Sequence, residues 1–159
     1  MDLPHDDLLQ FPGWVEFFEA GVRLILAGFL GALLGLERES VGKAAGMRTH
    51  ALVALGAALF MVAAQVSGMP SSDISRIIQG IATGIGFIGA GTILKSTEEH
   101  HITGLTTAAG LWLTSAVGIA AGIGRLWVSV LGAVLALIVL RLLRYLEPDS
   151  HKQSWSTHA

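Results

Sequence analysis

Apolar residues run through this chain in five long blocks, and the charges fall between them. The blocks cover residues 17–36, 51–69, 74–94, 105–123 and 126–146. Each approaches the roughly 20 apolar residues that carry a helix across a ~30 Å hydrocarbon layer. The pattern predicts an all-α, polytopic membrane protein with five transmembrane helices in one domain over residues 17–146. A polar outer segment, 1–16, precedes it, and a short cytoplasmic tail, 147–159, follows.

Composition sharpens this reading. Only 14% of the 159 residues are charged, against about 25% in a soluble domain. The net charge of −2 says little about partners, and no basic run suggests nucleic acid. The chain has no cysteine, which excludes disulfides and thiolate metal sites. Its first 19 residues carry five acids and no Lys or Arg, so no cleavable leader is expected. Seven of the ten basic residues lie on one side if the N-terminus is outside and the C-terminus inside. Basic residues favour the cytoplasmic side, so this orientation is predicted, with Trp14 and Trp127 at the outer interface and Tyr145 at the inner one.

The stretch GIGFIGAGTI, residues 84–93, fits the dinucleotide fingerprint G-x-G-x-x-G. That fingerprint needs a strand before it, a helix after it and an acid about 20 residues on. Neither the strand nor the acid is present. Inside a span, small residues instead let helix backbones approach closely. Gly28, Gly31 and Gly35 in the first span, and Gly80, Gly84, Gly86, Gly89 and Gly91 in the third, are therefore expected to pack helices, their faces making either a groove for a partner or a homodimer contact. Gly118 and Gly122 repeat the G-x-x-x-G spacing in the fourth span. A broken third helix exposing backbone to an ion is the alternative.

A weak internal repeat runs through the same region. AGFLGALLGL (27–36) resembles IGFIGAGTIL (85–94), and the same offset carries Gly46 onto Gly104 and Thr49 onto Thr107. Each unit would be a helical hairpin. Chance matching in a Gly/Ala/Leu-rich chain explains the similarity equally well.

Polar residues within spans need a partner or a purpose. Arg23 is expected to pair with Glu19 four residues earlier and to snorkel. Glu37, Arg38 and Glu39 close the first span, and Arg48, Thr49 and His50 open the second. If the hairpin is tight, they form a cytoplasmic polar cluster. Two readings of it stand open. Glu37 could hold Mg²⁺ through the ion's waters, or Glu37 and Arg48 could pair and close the hairpin, which the spacing favours. Arg76 and Gln79 would be the outer counterpart, with Asp73 as N-cap, facing protein or water. Thr106 and Thr107 are candidates for cross-linking helices through their hydroxyls, and Trp112 for core packing. Glu98-Glu99-His100-His101 reads as a solvated loop more readily than as a metal site. No catalytic constellation is visible, so an enzyme is not expected.

Four ordered blocks carry a family resemblance: GLERE (35–39), GMRTHALVALGAALF (46–60), GIGFIGAGTIL (84–94) and GLTTAAGLWL (104–113). Together they resemble the MgtC/SapB family of bacterial inner-membrane proteins. The resemblance implies five transmembrane helices, inner-membrane localisation and a link to growth at low Mg²⁺, acid and intracellular stress, and virulence. The family's founding member is described as restraining the ATP synthase, which makes that enzyme a candidate membrane partner. It also carries a soluble C-terminal domain, for which nothing corresponds in residues 147–159. The expected function is modulation of magnesium homeostasis or membrane energetics through a membrane partner. The chain is expected in the lipid bilayer as a homo-oligomer, with a dimer favoured. The rival is an ion transporter or channel, for Mg²⁺ or coupled to protons.

Overall fold

The computed structural model describes residues 13–95 and 102–146. The order of elements is α1 (Trp14–Ser40), α2 (Met47–Val66), α3 (Ser71–Ala90), β1 (Leu94–Lys95), β2 (Ile102–Thr103), α4 (Leu105–Gly122) and α5 (Leu126–Leu146). Five helices lie where the five apolar blocks predicted them. The two short strands were not expected. They pair antiparallel, Leu94 opposite Thr103 and Lys95 opposite Ile102, and form the neck of the α3–α4 connection.

Helices suit such apolar blocks, because in a bilayer there is no water to satisfy a bare backbone and a helix satisfies its own. α1, α2 and α4 are each long and apolar enough to cross a membrane. α3 carries Asp73, Arg76 and Gln79 in its first half and is not among them. α5 runs 21 residues, from Leu126 to Leu146, and is apolar over at least Leu126–Leu142.

Local signals set the helix ends. At the close of α1, Gly42 takes φ +68°, so that the Lys43 N–H reaches back to the Arg38 carbonyl at 3.1 Å and the Gly42 N–H to Glu39 at 3.0 Å. This left-handed glycine stop satisfies carbonyls that the helix end leaves bare. Six residues from Val41 to Gly46 then turn the chain. Glu39 reaches across to accept the Met47 N–H at 3.0 Å, placing a carboxylate on the positive end of α2. α3 begins after Pro70, which holds the N-cap position. Asp73 is therefore not the cap: it sits in the first turn, where its charge still suits the helix dipole.

α4 is the hub and packs on α1, α2, α3 and α5, while α1 packs on α2 and α5. Between α1, α2 and α4 the core is made of very small residues: Ala27, Ala54, Ala58 and Ala121, all fully buried. A second cluster, Leu30, Leu34, Val117, Ala133 and Ala136, joins α1, α4 and α5. The Ser129 hydroxyl of α5 donates to the Val117 carbonyl of α4 at 2.8 Å and fastens the last helix.

The glycines divide into two groups. A Cβ at Gly31 would lie 2.5 Å from the His50 carbonyl oxygen and 2.8 Å from Ala54 Cβ; one at Gly35 would lie 2.6 Å from Met47 Cα. Gly118 and Gly122 press equally closely on Ala54 and Ala58. At these four positions α1, α2 and α4 meet backbone to backbone. Gly89 and Gly91 are looser: their nearest neighbours would be Ala108 Cβ at 3.4 Å and the Ile88 carbonyl at 3.3 Å. At Gly28, Gly80, Gly84 and Gly86 a Cβ would meet nothing within 4 Å. No neighbour within the chain packs closely on these four. Gly80 and Gly84 face a groove, since α2 and α3 touch less than the other neighbouring helices do.

α3 runs unbroken through Gly84, Gly86 and Gly89 and ends at Ala90. The glycine stretch therefore ends a helix instead of opening one, as a dinucleotide site requires. The broken-helix alternative is likewise not what the structure shows.

Candidate functional site

The most polar place in the interior lies where α1 ends and α2 begins. Glu37 and Arg38 are only 6% and 4% exposed, and the Arg38 Nε donates to Glu37 Oε2 at 2.5 Å. A buried charge alone is very costly, and the pair neutralises itself. His50, 1% exposed, sits within electrostatic reach of both. Its Nδ1 lies 2.8 Å from the Thr114 hydroxyl of α4, which in turn donates to the Gly110 carbonyl at 2.8 Å. A threonine hydroxyl has one proton. Spent on Gly110, it leaves the oxygen to accept from His50 Nδ1–H. In the neutral ring Nε2 is then a bare lone pair. Among the described residues it is the only fully buried side-chain polar atom without a hydrogen-bond partner.

The polar residues singled out in the sequence, a cytoplasmic cluster, its outer counterpart and two threonines, come together only in part. Glu37, Arg38 and His50 converge. Thr107 is buried on α4, one turn before Leu111. Arg48 and Thr49 are exposed and face the α2–α3 groove. The expected Glu37–Arg48 pair is absent because a helix turns 100° per residue: with His50 inward, Arg48 is some 200° away and faces α3. Arg76, Gln79 and Thr106 are also exposed. Trp112 is 52% exposed, so it is not a core residue. Glu98, Glu99, His100 and His101 lie outside the described residues.

A divalent cation does not fit at Glu37. The nearest charge to its carboxylate is the Arg38 guanidinium, and Glu39 is engaged at the start of α2. Among the described residues no three of His, Asp or Glu converge as a metal site.

A second polar cluster, missed in the sequence, lies at the far end of the same three helices. The expected Arg23–Glu19 pair is present at 3.4 Å. Arg23 also donates to the Gln65 side chain of α2 at 2.8 Å, and Gln65 donates to the Ile123 carbonyl beyond α4 at 3.3 Å. Arg23 is thus a three-helix clasp more than a snorkelling side chain. The two polar clusters are separated by the apolar alanine–glycine seam.

Apolar helices long enough to cross a bilayer, with polar groups paired between them, define a helical membrane protein. The chain belongs to the MgtC family, whose sequence profile matches residues 24–148. It is similar to YhiD of Escherichia coli (strain K12), a proposed magnesium transporter, with 42% identity over 132 residues, 79% of this chain and 60% of that protein. Similarity to protein SrpB of Synechococcus elongatus is 41% over 145 residues, 84% of this chain and 80% of SrpB. Protein MgtC of Brucella abortus (strain 2308) is 41% identical over 132 residues, 82% of this chain and 54% of that protein. The chain thus spans little more than half the length of two of these three relatives. No solved structure matches it.

Proposed function

We propose that this chain works in the bacterial inner membrane as a five-span protein, N-terminus outside and C-terminus inside. It modulates magnesium homeostasis or membrane energetics by binding a membrane partner, with the ATP synthase as the candidate that family resemblance supplies. Membership of the MgtC family and the name of the Escherichia coli relative support the link to magnesium. One observation favours modulation over conduction: the seam at Gly31, Ala54, Gly118 and Gly122. There the helices touch at backbone distance, and fully buried alanines lie between the two polar clusters. An ion crossing between these helices would have to part three backbones and shed its water in an alanine-lined interior, with nothing to replace that water.

The unpartnered His50 Nε2 beside Glu37 and Arg38 favours the second reading, transport, in which a moving proton or hydrated ion supplies the missing donor. Vesicles containing only the purified protein separate the two. The modulator reading expects Mg²⁺ and proton leakage equal to empty vesicles, together with recovery of ATP synthase subunits when the protein is purified from membranes. Ion flux that rises with the amount of protein in the vesicles contradicts it and establishes transport.

A further inference from the structure

The α2–α3 groove has a volume of 1130 Å³ and opens to the outside of the bundle. Its walls are nearly all apolar: Leu52, Val53 and Phe60 on α2 and Ile77, Ile81 and Phe87 on α3, with Ser115 of α4 at its base. Ser115 spends its hydroxyl on the Trp112 carbonyl at 2.7 Å, so the floor offers no free donor. Gly56, Gly80 and Gly84 line the groove and put no side chain into it. Polarity is confined to one end, where Arg48 and Thr49 stand exposed in the first turn of α2. No acid lines the groove, and among the described residues Arg48 makes no ion pair.

The dimensions narrow the choice of occupant. From Arg48 to Phe60 the groove runs about 18 Å along α2, at 1.5 Å per residue. One leaflet of the hydrocarbon layer is about 15 Å deep, half of the ~30 Å that a spanning helix must cover. An apolar slot one leaflet deep, headed by an unpaired guanidinium and a hydroxyl, matches a lipid chain topped by a phosphate. Arginine is suited to that phosphate because its planar fork donates two parallel hydrogen bonds. Basic pockets between helices bind anionic headgroups in the same way.

We propose that the α2–α3 groove binds one anionic phospholipid from the leaflet that meets the start of α2. An acyl chain lies over Gly56, Gly80 and Gly84, and the phosphate sits on Arg48 and Thr49. The proposal needs the chain to be in a bilayer, and it holds whether the protein modulates a partner or moves an ion.

Native mass spectrometry tests it. The purified protein is offered phosphatidylglycerol and phosphatidylcholine with identical acyl chains. Both lipids present a phosphate, but choline's fixed positive charge lies next to it and opposes the Arg48 guanidinium, so phosphatidylglycerol, with its net negative charge, should be retained roughly tenfold better, as one molecule per chain. Arg48→Ala should remove that preference. Gly84→Leu should fill the slot and reduce retention of both lipids. Both positions face open space, so helicity by circular dichroism should match the parent protein. Three outcomes overturn the proposal: equal retention of the two lipids by the parent, a preference that survives Arg48→Ala, or a dimer dissociated by Gly84→Leu. The last would mean that a second copy fills the groove.

Discussion

The hairpins α1–α2 and α3–α4 are built on one plan and finished differently. The internal offset of 58 places Gly31 on Gly89 and His50 on Ala108. In the first hairpin Gly31 faces His50; in the second Gly89 faces Ala108. The same contact therefore occurs in both, which favours a true repeat over chance matching. The spacing differs. A Cβ on Gly31 would sit 2.5 Å from the His50 carbonyl oxygen, whereas one on Gly89 would sit 3.6 Å from that of Ala108. The first hairpin is locked, with a buried ion pair at its turn and a histidine in its interior. The second has an alanine in place of the histidine, a two-stranded neck in place of a tight turn, and a groove beside α3. The lesson is that a repeated glycine pattern fixes which helices pair, while the residues opposite the glycines decide how tightly.

This contrast can be broken by substitution, with the largest effect expected at the polar turn of the first hairpin. Glu37→Ala strands a buried guanidinium and should cost about 3–5 kcal/mol, read as a lower midpoint of thermal unfolding in detergent. The double change Glu37→Ala with Arg38→Ala should recover part of that loss, because no unpaired charge remains. If Glu37→Ala proves neutral, the turn is not the locked element described.

The next effect compares the two equivalent glycines that open α2 and α4. Gly104 has φ +90°, and a Cβ there would fall on the Thr92 carbonyl oxygen. Gly46 has φ −97°, and its nearest obstacle would be the movable Glu39 carboxylate at 2.7 Å. Gly104→Ala should therefore cost about 2 kcal/mol or more through strain and overlap together, and Gly46→Ala distinctly less. Equal losses would remove this difference between the hairpins.

Smaller again is Thr114→Val, which keeps the shape but leaves the His50 Nδ1–H without an acceptor. A loss of about 1–2 kcal/mol is expected, within the range for an unsatisfied buried donor. A shift of the His50 ring signals in nitrogen NMR should accompany it. Unchanged ring signals would mean that Thr114 does not set the tautomer.

Much of this architecture was legible in the chain, for physical reasons. Apolar length gave five helices, because a span needs a fixed number of residues. Small-residue spacing pointed to Gly31, Gly35, Gly118 and Gly122, because close approach requires the absence of a side chain. The same signal at Gly80 and Gly84 led to a groove instead of a contact, since spacing does not say whether a partner helix lies opposite. Arg48 was grouped with His50 because α2 is apolar on nearly every face, so its sequence shows no inward side. The His50–Thr114 and Arg23–Gln65 bonds join residues 64 and 42 positions apart, which no local periodicity can register.

The most direct test of the shared plan and its unequal finish is the paired change Gly31→Ala and Gly89→Ala, measured by thermal unfolding in one detergent. A methyl group at Gly31 has no room and should cost about 1–3 kcal/mol. At Gly89 it meets only an ordinary contact, and replacing a helical glycine should stabilise by about 0.5–1 kcal/mol. Shifts of opposite sign are predicted; equal destabilisation at both positions would contradict the account.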